Sequence, residues 1–294
     1  VILQKIREEE RRILYDQYYG MEKEVVTGIV QRVMGRNVSV NLGKADGILS
    51  ENEQVKGEEF EPTQRIKVYI LEVKETPKGP RILVSRTHPG LVKRLFESEV
   101  AEVRDGTVEI KSIAREAGSR TKIAVWSNDP DVDPVGACVG MNGARVNSIV
   151  EELNGEKIDI INWDDNPAIL IENALSPAKV IAVMADPDEK TALVVVPDYQ
   201  LSLAIGKEGQ NARLAARLTG FKIDIKSETQ ARESGELYDY DEDEEYYEEE
   251  EAYSEESASA DEEVSTEDSD EDVVSEEISE EPAAETVSEE PVEE

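Results

Sequence analysis

The chain has 294 residues, a formal net charge of −36, one cysteine and one histidine. The lone Cys138 excludes an intramolecular disulfide and a thiolate metal cluster, and the lone His88 argues against a His-based metal site. No apolar run nears the ~20 residues a spanning helix needs, and no charged-then-apolar signal opens the chain, so the expectation is a soluble protein of a reducing compartment.

The acidity is local. The 59 residues from Glu236 to Glu294 hold 30 of the 68 Asp and Glu and no Lys or Arg, which leaves the first 235 residues near balance, with 38 acids against 32 bases. Val1 to about Tyr19 reads as a helix, because Ile2, Leu3, Ile6, Ile13, Leu14 and Tyr18 recur at helical spacing between Glu and Arg. Gly20 is its stop. No capping residue precedes it and the chain opens on Val, so residues 1–20 read as the final helix of a truncated domain and the chain as a fragment or processed form.

Residues 21–87 read as short strands. Asn37–Leu42 and Arg65–Ile70 alternate cleanly, and Gly28, Gly35, Gly43, Gly47 and Gly79 punctuate the segment. Five short strands in about 60 residues suit a small barrel of OB type. Thr87-His88-Pro89-Gly90 then leads into a helix from Leu91 to about Val100, with Pro89 suited to its first turn. Strands follow near Gly106–Arg115 and Lys122–Trp126, then a short helix at Pro134–Val139, the run Gly140-Met141-Asn142-Gly143, a helix to Leu153, and a strand at Lys157–Ile161.

The same order then repeats. Asn166 caps a helix that begins at Pro167 and runs to Leu175. Strands Lys179–Ala185 and Thr191–Val196 form a hairpin around Asp186-Pro187-Asp188. A short helix follows Asp198, then Gly206-Lys207-Glu208-Gly209, a helix to Leu218, and a strand at Phe221–Lys226. Each Gly-x-x-Gly opens a helix that closes on Gly155 or Gly220, and Lys-Ile-Asp-Ile follows each time, at 157–160 and 222–225. Two copies of one α-β-β-α-α-β unit, residues 88–163 and 164–232, are the economical reading. From 233 onward the sequence is Glu, Asp, Ser and Ala without apolar periodicity, and reads as a disordered acidic tail.

Gly-x-x-Gly alone is a weak signal, equally at home in a plain turn. Between two helices it has chemistry. Glycine at both corners lets a nucleic-acid backbone approach, and the next helix aims free N–H groups and its positive dipole end at the loop. This is the KH-type cradle, which clamps about four nucleotides of single strand, and the element order is that of the prokaryotic variant. The second cradle has Gly206, Lys207, Gly209, Arg213 and Arg217, with Leu201, Ile205 and Leu214 as an apolar wall for bases. The first has Gly140, Gly143 and Arg145. Its Met141 and Asn142 carry no charge, so it either works through backbone and Arg145 or is kept for packing. Glu208 either tempers affinity or caps the following helix. A nucleoside-triphosphate loop would need Gly-x-x-x-x-Gly-Lys-Ser/Thr after a strand, and a dinucleotide loop three glycines; neither pattern is present.

The barrel resembles the S1-type OB module through Val26-Thr27-Gly28-Ile29-Val30, Val38–Gly43 and Asp46–Glu51. That module presents aromatic residues and a histidine for base stacking, where this chain has Arg36, Ser39 and Ser50. Arg36, Arg65, Lys67 and Tyr69 remain as candidates for phosphate or one base; a spacer with marginal RNA contact is the competing reading. His88 reads as a turn residue, Cys138 as a small buried one, Trp126 and Trp163 as packing. Asp129, Asp131 and Asp133 mimic a calcium loop but lack its Gly and Glu.

Taken together, "VTGIVQRV", "ILVSRTHPGLVKRLFESEV", "VEIKSIAREAGSRTKIAVWSNDPDVDPVGACVG", "GEKIDII", "NALSPAKV" and "VVVPDYQLSLAIGKEGQNARLAARLTG" resemble the NusA family of bacterial transcription termination/antitermination factors, over roughly Val1 to Lys226. The resemblance implies an S1-like barrel and two α+β KH domains, and a non-enzymatic, cytoplasmic, monomeric factor without cofactors. Its implied partners are single-stranded nascent RNA, RNA polymerase and further elongation or antitermination factors. The implied role is to modulate pausing, termination and antitermination. The polymerase-binding domain is largely missing from this chain, and Met141-Asn142 departs from the family's basic residue in the first loop. Two other readings compete: the RNA-binding portion of an RNA-processing enzyme, and an interaction scaffold. The acidic tail is expected either to solubilise or to compete with RNA for the basic KH surface in cis.

Overall fold

A computed structural model describes residues 2–235 of the protein. The acidic tail, read as disordered and expected either to solubilise or to compete with RNA, lies outside the described residues from 236 onward.

Helix α1 (Ile2–Tyr19) leads into strands β1 (Val25–Met34), β2 (Asn37–Asn41), β3 (Asp46–Leu49), β4 (Arg65–Thr76) and β5 (Gly79–Ser85). These close into a barrel in the order β1-β2-β3-β5-β4. Period-2 alternation sends Val38, Val40, Leu49, Ile66, Val68, Ile70, Ile82 and Val84 inward. Tyr18, at the end of α1, joins this core and donates from its hydroxyl to the carbonyl of Leu42 at 3.0 Å. The helix is thereby fixed to the barrel at its C-terminal end, while Ile2, Leu3, Ile6 and Ile13 stay exposed.

The first α+β unit contains α2 (Pro89–Glu99), α3 (Ala101–Arg104), β6 (Val108–Glu116), β7 (Arg120–Ser127), α4 (Pro134–Val139), α5 (Ala144–Glu152) and β8 (Lys157–Asn162). The second contains α6 (Pro167–Ala174), β9 (Ala182–Asp186), β10 (Thr191–Val196), α7 (Leu201–Ile205), α8 (Gln210–Thr219), β11 (Lys222–Ser227) and α9 (Glu228–Glu233). In each sheet the middle strand pairs antiparallel with the strand before it and parallel with the Lys-Ile-Asp-Ile strand. Between the Gly-x-x-Gly run and the Lys-Ile-Asp-Ile strand the two copies differ by one residue. After α5 both Asn154 and Gly155 take left-handed conformations, whereas after α8 Gly220 alone does so. Helix α9 is an addition to the elements expected from the sequence. Its apolar signal is a single buried Ala231, and a capping box between Ser227 and Gln230 starts it.

Strand β7 is buried on both faces. Ile123 and Val125 face α2, α4 and α5 of their own unit, while Ala124, with Ala114 and Ile161, joins the core of the second unit against Leu170, Ile171, Leu214, Ala215 and Leu218. The core of the second unit therefore extends onto one face of the first unit's sheet, and the first unit keeps its own core on the other face.

Candidate nucleic-acid interface

The two Gly-x-x-Gly runs have nearly the same backbone. Gly140 and Gly206 lie at φ 73°, ψ 175° and φ 77°, ψ 173°; Asn142 and Glu208 lie at φ 53° and 54°; Gly143 and Gly209 close in the left-handed region. A Cβ on Gly206 would come within 2.8 Å of the Asn211 backbone nitrogen, so the cradle admits no side chain there. Neither α5 nor α8 has a side-chain cap; the N–H groups of Ala144 and Gln210 donate to the carbonyls of Met141 and Lys207, and the N–H groups after them in each first turn have no side-chain acceptor. The capping alternative for Glu208 is thereby excluded. Its side chain is exposed, and its carbonyl accepts from Arg213 at 3.1 Å. The Lys207 side chain is exposed and makes no ion pair or hydrogen bond among the described residues, while its carbonyl accepts from the Gln210 N–H.

The arginines chosen from the sequence have structural partners. Arg145 donates to the Ala137 carbonyl at 2.6 Å and to Glu102 at 3.0 Å. Its counterpart in the second unit is Asn211, 3% exposed, which donates to the carbonyls of Ala204 and Leu175 at 3.0 Å each. Both residues brace the helix before the cradle. Arg213 grips Glu116 of the first unit with Nε at 2.5 Å and Nη2 at 3.1 Å, and Arg217 lies 3.6 Å from the same carboxylate. Gln210 donates to Glu116 at 2.9 Å and to Ser119 at 2.7 Å. The hydrogen bond from Arg213 holds the Glu116 carboxyl down at about 2 against the opposing effect of burial, with Gln210 adding to it. A second link between the units is Lys122, whose fully buried ammonium donates to the Ser176 carbonyl at 2.8 Å and pairs with Asp159 at 3.0 Å. Burial lowers the Lys122 pKa.

Other candidates fall elsewhere. Leu214 is fully buried, because it faces the shared core, and so lines no groove; Ile205 is 37% exposed and remains available. Lys67 sits 3.8 Å from Glu99 where barrel and first unit meet, and its backbone N–H donates to Glu152. Tyr69 is 7% exposed and stacked on His88 at 4.6 Å, which removes it as a base platform. His88 is also the cap of α2, accepting at Nδ1 from Gly90. Arg36 is exposed and lies 3.2 Å from Glu51, and Arg65 is exposed. Ser39 is buried against Gln31, and Asp133 caps α4. Cys138 is fully buried, and desolvation pushes its thiol up to about 12. Trp126 packs edge-on against Trp163 at 5.8 Å. Glu116 and Asn211 were not recognisable in advance: one lies at a strand end, the other in a polar run after a glycine, and periodicity marks neither.

Residues 20–85 match the S1 RNA binding domain, 86–163 the NusA-like first KH domain, and 167–233 the NusA-like second KH domain. The transcription termination/antitermination protein NusA of Mycobacterium tuberculosis (strain ATCC 25618 / H37Rv) is 49% identical over 237 residues, which cover 78% of this chain and 68% of that protein. The chain belongs to the NusA family. The Bacillus subtilis (strain 168) NusA is 60% identical over 235 residues, covering 80% of this chain and 63% of the relative. The Thermus thermophilus NusA is 46% identical over 243 residues, covering 82% and 61%. The chain thus spans somewhat under two thirds of the length of these last two NusA relatives. Within the family's organisation, α5 and α8, both without a side-chain cap, belong to the first and second KH domains, and Glu116 links the two.

Proposed function

We propose that the protein is the RNA-binding part of a transcription elongation factor. It holds nascent single-stranded RNA across its KH cradles and, with RNA polymerase and other elongation or antitermination factors, modulates pausing, termination and antitermination. The observation that carries this reading is the pair of matching glycine-cornered loops, each opening on an uncapped helix N-terminus suited to phosphate. The second cradle is the stronger of the two, since Lys207 is exposed and unpaired there while Met141 stands in its place in the first. Such a factor acts in the cytoplasm without catalysis. No helix among the described residues is long and apolar enough to cross a membrane.

The test is RNA affinity together with thermal midpoint. The double variant K207D/E208D places two carboxylates at the cradle without touching its glycines. The expected result is at least about a tenfold loss of affinity for an unstructured RNA, with a midpoint no lower than the parent's. Unchanged affinity in the folded variant would sink the reading. For an RNA-processing enzyme the same assay would show RNA cleavage or phosphorolysis.

A further inference from the structure

Ahead of the second cradle a 3-10 turn, Asp198–Gln200, runs directly into α7. Tyr199 in this turn is 81% exposed, Leu203 is 47% exposed, and Lys207 is exposed at the cradle. Tyr199 and Leu203 are spaced i, i+4 along the turn and α7, which puts them on one side of that segment; Gly206, at φ 77° and ψ 173°, ends the helix, and Lys207 follows at once in the cradle. An exposed tyrosine on a loose loop would mean little, but both neighbours of Tyr199 are pinned. Asp198 accepts from the Thr229 hydroxyl at 2.7 Å and its N–H at 3.3 Å, on α9. Gln200 accepts from the Lys179 N–H at 2.7 Å, and its own N–H donates to the Pro197 carbonyl at 2.8 Å. The backbone under the ring is thus held from both sides, while the ring itself stays in solvent.

We infer that Tyr199 is a base-stacking platform for single-stranded RNA whose backbone is held at Lys207, with Leu203 as the apolar floor between them. This rests on the cradle reading above and names a residue that extends it. Stacking on an aromatic face is favourable for every base, and an already ordered ring loses little freedom on binding. The charge order also fits, with a cation at the phosphate end and no unpaired carboxylate at the base end, Asp198 being committed to Thr229. The first KH domain has no such face. Counted from the shared glycine, its equivalents are Asp133, which caps α4, then Ala137 and Met141. The second KH domain therefore supplies the base-stacking anchor and the first does not.

The experiment compares the full chain with Y199A, Y199F and K207D/E208D, using a labelled, unstructured 12-nucleotide RNA and a set of the same RNA carrying one abasic position at a time. Y199A is expected to bind about five- to a hundredfold more weakly, Y199F within about twofold of the parent, and neither to shift the thermal midpoint. One abasic position should weaken the parent but leave Y199A unaffected. If K207D/E208D weakens binding while Y199A matches the parent, the platform is wrong and the cradle reading stands; a protein-docking role for Tyr199 would give that outcome. If neither variant weakens binding, both ideas fall.

Discussion

Glu208 occupies the left-handed region at φ 54°, a conformation that disfavours most side chains by roughly 1–2 kcal/mol and that Asn tolerates better. The first cradle carries Asn142 at the same place and almost the same dihedrals. Replacing Glu208 by Asn should therefore raise stability by about 0.5–1 kcal/mol. A urea titration of E208N measures this, and a midpoint at or below the parent's would contradict it. The same residue-level comparison pairs Arg145 with Asn211. One is charged and the other neutral, yet both donate to carbonyls of the helix before the cradle. A basic residue near a phosphate loop reads as a phosphate ligand from sequence alone. In the structure its guanidinium is also holding two helices together.

At the scale of elements, α8 performs three tasks with three faces. Its first turn completes the second cradle, its Leu214, Ala215 and Leu218 enter the shared core, and Gln210, Arg213 and Arg217 grip Glu116. The spacing 210, 213, 217 is one helical stripe, so a single carboxylate from β6 meets all three. The pH consequence follows from the depressed Glu116 pKa. The link is fully present above the ordinary carboxylate range near 4.5 and is lost as pH falls toward about 2, where the folded-state group takes up its proton. E116Q should lower the thermal midpoint at neutral pH. The gap to the parent should close steadily between about pH 4.5 and pH 2.5. A gap that stays constant with pH would show that Glu116 acts through shape rather than charge.

For the whole molecule, the acidic composition and the proposed RNA partner are reconciled by where the charges sit. The described residues are nearly neutral in sum and keep an exposed lysine at the second cradle. Binding of a single strand should weaken linearly in logarithmic salt, by about 0.7 in slope for each phosphate neutralised. K207Q should flatten that line by roughly one such increment. A titration with the parent's slope would mean that Lys207 meets no phosphate.

Much of this architecture was legible in the sequence. The repeat, its cradles, the barrel strands, the cap at Asn166 and Pro167 at the first helical position all follow from local pattern, because turns and caps are decided by residues within a few positions of one another. Helix α9 was not legible, since one buried alanine makes no period. Nor were the partners of the arginines. Alternation marks β7 as a strand, yet Ala124 looks the same whether its face meets solvent, a ligand or another domain. Sequence by itself determined the elements, their duplication and the phosphate-suited loops, since these depend on φ/ψ preference and periodicity. Tertiary structure alone decided that the core of the second KH domain takes in one face of the first domain's sheet, that Arg213 and Arg217 hold Glu116, and that Tyr199 stands in solvent on a pinned turn. The physical reason is that periodicity tells a residue to be buried or paired, and only the fold supplies what buries or pairs it.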